Sequence, residues 1–193
     1  MKSLAIDDIQ NIYEYNRQRT KIREKMVALK RKRTLSLGPS LLVTFENRET
    51  IRYYIQEAVR AERALKDAAV HQLIDLYTPL LPGPDELCGV IQLNITKKEA
   101  IQPVLHQFQQ LTRPQTIWFG INESEQVYGT FEMEGNIRQP AYTGRFQFSK
   151  PTRDMFCDPN TAVSLVIRHD SYHASSPVQN DLRTELIQDL QTN

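Results

Sequence analysis

Apolar residues recur at helical spacing near the start of the chain. Ile9, Ile12, Ile22, Met26 and Leu29 predict a helix over residues 7–30, with a polar gap from Asn16 to Lys21. Lys30-Arg31-Lys32-Arg33 closes it, placing cations at the negative end of the helix dipole. The stretch from Leu35 to Phe45 reads as a strand pair broken at Gly38-Pro39, or as one irregular strand. Asn47 suits the N-cap of a helix reaching Leu65, with Ile51, Ile55, Ala58, Val59 and Leu65 as its stripe. A following helix over 67–77 carries Val70, Leu73, Ile74 and Tyr77. Pro79, Pro82, Gly83 and Pro84 then force a loop.

Further on, the period shortens. Leu87, Ile91, Leu93 and Ile95 alternate with smaller or polar neighbours, as in a half-buried strand. Thr96 and Glu99 form a capping-box pattern that opens a helix to Leu111, kinked at Pro103. Thr116–Ile121 and Gln126–Met133 suggest a hairpin around Asn122-Glu123-Ser124-Glu125. Arg145–Phe148 is another short strand, Pro151 starts a helical turn that ends before Asp158, and Val163, Leu165 and Ile167 mark a last strand. A C-terminal helix opens at Ser176-Pro177 and turns Val178, Leu182, Leu186 and Leu190 inward. This mixture predicts one α+β domain over residues 1–193. Its sheet is mixed or largely antiparallel, of about five strands, with packed helices and the helix 47–65 laid across it.

Composition narrows the class without naming a function. Hydrophobic residues make up 40% of the 193 and charged residues 24%, enough apolar material for a real core. No apolar run is long enough to span a membrane, and the N-terminus lacks a signal pattern, with Asp7 and Asp8 arguing against a transit peptide. A cytoplasmic setting follows as the expectation. Charge is balanced overall but lopsided along the chain. Residues 1–33 hold ten Lys and Arg against four Asp and Glu, and the remaining residues carry a net negative charge. That basic segment suits docking on its own acidic body or on a protein partner better than nucleic acid, because Tyr13 and Tyr15 precede the basic run instead of interleaving with it.

The chain has no glycine-rich phosphate loop, dinucleotide fingerprint or nucleophile elbow. Cys88 and Cys157 have no metal-ligand spacing, so electron transfer would need a cofactor from elsewhere, and the residues identify no cofactor. Cys88 reads as a small buried apolar residue, and Cys157 lacks a local cationic activator. One position breaks its own pattern. At 100° per residue, Glu62 falls about 20° from Ile51, inside the apolar stripe. A carboxylate buried there must be paired, hydrogen-bonded or protonated, as a structural salt bridge or as a metal ligand or tuned acid. His169 and His173 flank Tyr172 past the last strand and are, with Glu62, the candidate metal ligands. His71 and His106 have no evident partner.

Several segments together resemble a bacterial family known only as a domain of unknown function. They are Asp7-Asp8, Tyr15, Leu29-Lys30-Arg31-Lys32-Arg33, Leu37-Gly38-Pro39 and, most distinctively, Phe45-Glu46-Asn47-Arg48-Glu49-Thr50. Gln56-Glu57, Arg60-Ala61-Glu62-Arg63, Tyr77, Pro79-Leu80, Pro82, Arg145-Phe146, His169 and Tyr172 continue the match. The resemblance implies a gene neighbourhood of rubrerythrin-like di-iron proteins and iron–sulfur proteins, and hence an accessory role in peroxide defence or anaerobic electron transfer. It also marks Glu46, Arg48, Glu57, Arg60, Glu62, Arg145, His169 and Tyr172 as a binding or structural cluster. The chain departs from the family at two places. Tyr142-Thr143-Gly144-Arg145-Phe146-Gln147 stands where a His-Phe-Leu-Arg-Phe-Glu strand is usual, and Arg168-His169-Asp170-Ser171-Tyr172 stands where Asp-His-Pro-x-Tyr is usual.

Three readings follow. The first is an accessory or interaction protein of a redox or oxidative-stress system, without chemistry of its own. The second is a small metal- or ligand-binding enzyme with a Glu/Arg/His site. The third is nucleic-acid binding through the basic helix. The missing catalytic motifs favour the first.

Overall fold

The structure is a computed structural model that describes residues 4–94, 108, 111–122, 124–133, 141–170 and 172–192. A single 3-10 turn, Ile6–Asp8, leads into α1 (Ile12–Lys32), which Asn11 caps by accepting from the Tyr13 amide. The strands β1 (Thr34–Leu37) and β2 (Leu41–Glu46) form a hairpin, so the strand-pair reading of this region holds. Then come α2 (Arg48–Glu62), α3 (Asp67–Tyr77), β3 (Glu86–Leu93), β4 (Ile117–Ile121), β5 (Glu125–Met133) and β6 (Ala141–Gln147). A short α4 (Lys150–Cys157), β7 (Val163–His169), β8 (Tyr172–Pro177) and α5 (Asn180–Thr192) complete the chain. The helix expected over 96–111 lies, but for Phe108 and Leu111, outside the described residues.

The sheet has eight strands, not about five, in the order β1-β2-β3-β6-β5-β4-β7-β8, and every pairing is antiparallel. It curls until its two edges meet, which makes it nearly a barrel. Side chains close the β1–β8 seam. The Tyr172 hydroxyl donates to the Leu37 carbonyl at 2.7 Å and accepts from the Ser40 amide at 3.1 Å. Ser176 Oγ donates to the Ser36 carbonyl at 2.6 Å. Gly38 makes this possible: its φ is +69°, and a Cβ there would collide with the Tyr172 hydroxyl.

The barrel interior is filled, not hollow. Phe45, Phe119, Phe146, Phe131, Phe148 and Phe156 stack edge-to-face or tilted through it, with Leu41, Val43, Leu87, Ile91 and Leu165 between them. Gly144 lies opposite Phe131 across the β5–β6 pair, and the missing side chain leaves room for that ring. A second apolar cluster sits outside the barrel. Ile51, Ile55 and Val59 of α2 pack with Leu4, Ala64, Val70, Leu73 and Ile74. The stripe of α2 therefore meets α3 and the N-terminal segment, where the sequence pattern suggested the sheet.

Two helix boundaries also differ from the pattern. α2 stops at Glu62 because Arg63 takes the left-handed conformation, and the Ala64 amide bonds back to the Val59 carbonyl at 3.0 Å. The last helix starts at Asn180, and Ser176-Pro177 belong to β8.

Candidate functional site

Along β2 the side chains alternate. Leu41, Val43 and Phe45 enter the barrel core, while Thr44 and Glu46 face outward beneath the helices. Glu46 is 1% exposed. Its Oε1 accepts from the Tyr54 hydroxyl of α2 at 2.9 Å, whereas Oε2, equally buried, meets no hydrogen-bond partner among the described residues. Lys30, from the last turn of α1, holds its ammonium 4.3 Å from the centre of the Tyr54 ring. These groups border a cleft of about 250 Å³ between the barrel wall and the helical layer, with Tyr77, Val90 and Gln92 also lining it.

Desolvation dominates the electrostatics there. Burial pushes the Glu46 carboxyl above the usual carboxylate range, against the nearby hydroxyls of Thr50 and Tyr54 and the charges of Lys30 and Arg33. Burial pushes the Lys30 ammonium down, with the Glu46 charge opposing. Burial and the neighbouring Glu46 carry the Tyr54 phenol upward. Burial thus favours the neutral form of all three groups, and the cleft offers both donors and acceptors.

Glu46 and Arg145 share one transverse row of the sheet. Glu46 pairs with Cys88 on β3, and Cys88 pairs with Arg145 on β6, so the three side chains lie on the same outer face. Cys88 is fully buried between them. Arg145 is held by Glu86 at 2.6 Å and by the carbonyls of Pro79 and Leu81, fixing the loop that roofs this part of the wall.

The other expected site residues lie elsewhere. Arg48 pairs with Asp8 at 2.7 Å and, by that hydrogen bond, holds the Asp8 carboxyl below its ordinary range. Glu57 takes both Nε and Nη2 of Arg19 at 2.8 Å and a hydrogen bond from buried Tyr15; Arg60 adds a weaker charge to that carboxylate. Glu62 is exposed, which corrects the burial inferred from the helical projection. The projected stripe outruns the elements that cover it, and Ala64, beyond the left-handed turn, is buried instead. His169 is buried with its ring stacked on Phe108 at 6.0 Å, beside Tyr172 at the barrel seam. His173 is exposed, with Nε2 3.0 Å from the Asp170 carbonyl. Glu62, His169 and His173 do not converge, and among the described residues no group of three or more His, Cys, Asp or Glu is placed to hold a metal.

Pattern reading missed Lys30, Tyr54 and Tyr77 as cleft residues. It also missed Arg33, which is fully buried. Arg33 donates to the Phe45 carbonyl at 2.9 Å and pairs with Glu185 at 3.1 Å and with Asp189 of α5. Together with Arg19–Glu57 and Lys32–Asp181, it turns part of the basic segment onto carboxylates of the same chain. Arg17, Lys21, Arg23, Lys25 and Arg31 remain exposed. Among the described residues no helix is long and apolar enough to cross a membrane.

The fold has a close relative among solved structures. A crystal structure titled a novel protein of unknown function from Burkholderia pseudomallei K96243 is 20% identical, covers 98% of this chain and 100% of its own, and superposes with a TM-score of 0.86. That likeness establishes the architecture alone. No curated protein matches the chain. Residues 3–190, nearly all of the sequence, match the family described as "Protein of unknown function (DUF3501)", and the chain belongs to that family.

Proposed function

We propose that this protein binds a small amphoteric molecule in the cleft between Lys30, Glu46, Tyr54 and Tyr77. The observation that carries the reading is Glu46 Oε2, a buried carboxylate oxygen with no hydrogen-bond partner among the described residues, beside a cleft of about 250 Å³. Leaving such an atom unsatisfied costs about 1–3 kcal/mol, which a ligand donor would recover. Lys30 offers a donor or charge to the other end of the ligand, and the two tyrosine rings give it flat walls. The volume suits a molecule of amino-acid size, below the range of drug-sized pockets.

Small-ligand binding fits an accessory role better than catalysis. The setting in a redox or oxidative-stress system, in the cytoplasm and with a protein partner, rests on the resemblance to rubrerythrin-associated proteins. The exposed cations of α1 are the surface that would serve such a partner. A thermal-shift screen of the full chain against the free amino acids and small amino alcohols at neutral pH tests the binding reading. At least one compound should raise Tm in the wild type, and Glu46→Gln and Lys30→Met should each remove that rise. A panel without a stabilising member, or a rise that both variants keep, would overturn it.

A further inference from the structure

A second cleft, of about 650 Å³, opens on another part of the barrel, between β4, β7 and the start of α5. Arg183 of α5 lines it and is only 9% exposed. Its Nη2 donates to the carbonyls of Asp158 and Thr161 at 3.3 and 3.4 Å, and its guanidinium lies 4.3 Å from the centre of the Phe156 ring. Among the described residues, Nε and Nη1 have no hydrogen-bond partner and no carboxylate forms an ion pair with it. The Asp158 carboxylate acts on Arg183 by its charge, without a hydrogen bond between them. The Asp158 carboxylate accepts from the Asn160 amide at 2.9 Å, while Asp181 and Glu125 are exposed.

This placement is unfavourable for a cation on two grounds. An arginine does not shed its proton at neutral pH, so its charge stays buried without an ion-pair partner among the described residues. It also stands in the first turn of a 13-residue helix, where the dipole repels cations and the free amides attract anions. Burial pulls the Arg183 guanidinium pKa down, against the charges of Cys157 and Asp158. Gln126, Asn160, Ser164 and Gln179 supply neutral polar walls, exposed Glu125 an acidic one, and Trp118 a flat one.

We infer that this cleft is a binding site for a small oxyanion, a phosphate or carboxylate group, with Arg183 as its countercharge and the start of α5 as its second anchor. The inference is independent of the Glu46 cleft. Trp118 lines the site and is the only tryptophan of the chain, so its fluorescence reports the cleft directly. Titrating the full chain with inorganic phosphate and, separately, with succinate should give a saturable change with at least one, and none with sodium chloride at matched ionic strength. The responding anion distinguishes a phosphate from a carboxylate ligand. Arg183→Met should weaken binding by about tenfold or more. Gln179→Glu, a shape-conserving change at an exposed position one turn before Arg183, should weaken it too, and it keeps the test open if Arg183→Met does not fold. No saturable response to either anion, or unchanged affinity in the folded variants, would overturn the inference.

Discussion

Arg33 and Arg183 both hold a guanidinium away from water, at 0% and 9% exposure. Arg33 spends its donors on the carbonyls of Phe45 and Glu46 and on the carboxylates of Glu185 and Asp189. It ties the end of α1, the end of β2 and the face of α5 into one knot. Arg183 has two long bonds to carbonyls, an aromatic ring and, among the described residues, no paired carboxylate. Burial is nearly the same in both and therefore does not separate structure from function. The separation lies in whether the charge is answered from within the chain. Glu46 stands between them, with one oxygen bonded to Tyr54 and the other without a partner.

The sharpest way to break this comparison is to remove the partner that Arg33 has and Arg183 lacks. Asp189→Asn keeps the shape of the side chain and deletes its charge. It should cost about 3–5 kcal/mol in urea unfolding at neutral pH, because a buried guanidinium is left undercompensated. A loss under about 1 kcal/mol would mean that Glu185 and the carbonyls suffice, and the contrast with Arg183 would collapse.

Glu46 gives the next largest effect, read against pH. Its folded pKa is raised by burial, so the folded state holds the proton more tightly than the unfolded chain. The stability this contributes is fully present below the ordinary carboxylate range. It is lost as pH rises through the raised value. Glu46→Gln keeps an acceptor for Tyr54 and cannot ionise. Its stability relative to wild type should therefore climb between acidic and neutral pH in parallel denaturant melts. A constant gap would show that Glu46 titrates as an ordinary carboxylate.

Arg183→Met should alter stability by less than about 1 kcal/mol in anion-free buffer, in either direction. Replacing an unanswered buried charge with an apolar side chain relieves desolvation while losing the ring contact and two weak bonds. A loss as large as that of Asp189→Asn would make Arg183 a second structural knot.

These contrasts were unevenly visible in the chain. Local chemistry was legible: Asn47 caps α2 by accepting from the amides of Glu49 and Thr50, and α3 spans 67–77 as its stripe suggests. β4 and β5 pair antiparallel with Ile121 opposite Glu125, the hairpin expected around residues 122–125. What escaped was non-local. β8 turns only Tyr172, Ala174 and Ser176 toward the seam, with no apolar alternation to betray a strand. Its closure depends on Tyr172 reaching Leu37, far away along the chain. The row Glu46–Cys88–Arg145 needs two strand registers, which no periodicity encodes. Arg183 sits beside Leu182 on an amphipathic helix, and nothing in that spacing announces that its charge is buried.

Glu62 offers the smallest effect and the plainest control. The projection from Ile51 placed it on the apolar stripe, and that projection assumed a helix running to Leu65. The left-handed Arg63 ends the helix at Glu62, so Ala64 becomes buried while Leu65 is 70% exposed. The carboxylate is exposed at the helix terminus, outside the apolar cluster around Val59. A surface side chain outside polar networks tolerates substitution to within about 0.5 kcal/mol. Removing a negative charge from the C-terminal end of the dipole is, if anything, slightly favourable. Glu62→Gln should therefore melt within about 0.5 kcal/mol of wild type in urea at neutral pH, on the stabilised side if the dipole is felt. A loss above about 2 kcal/mol, in the range of a charge-assisted hydrogen bond, would show that Glu62 has a buried partner in solution and would place it beside Arg33 as a group answered from within.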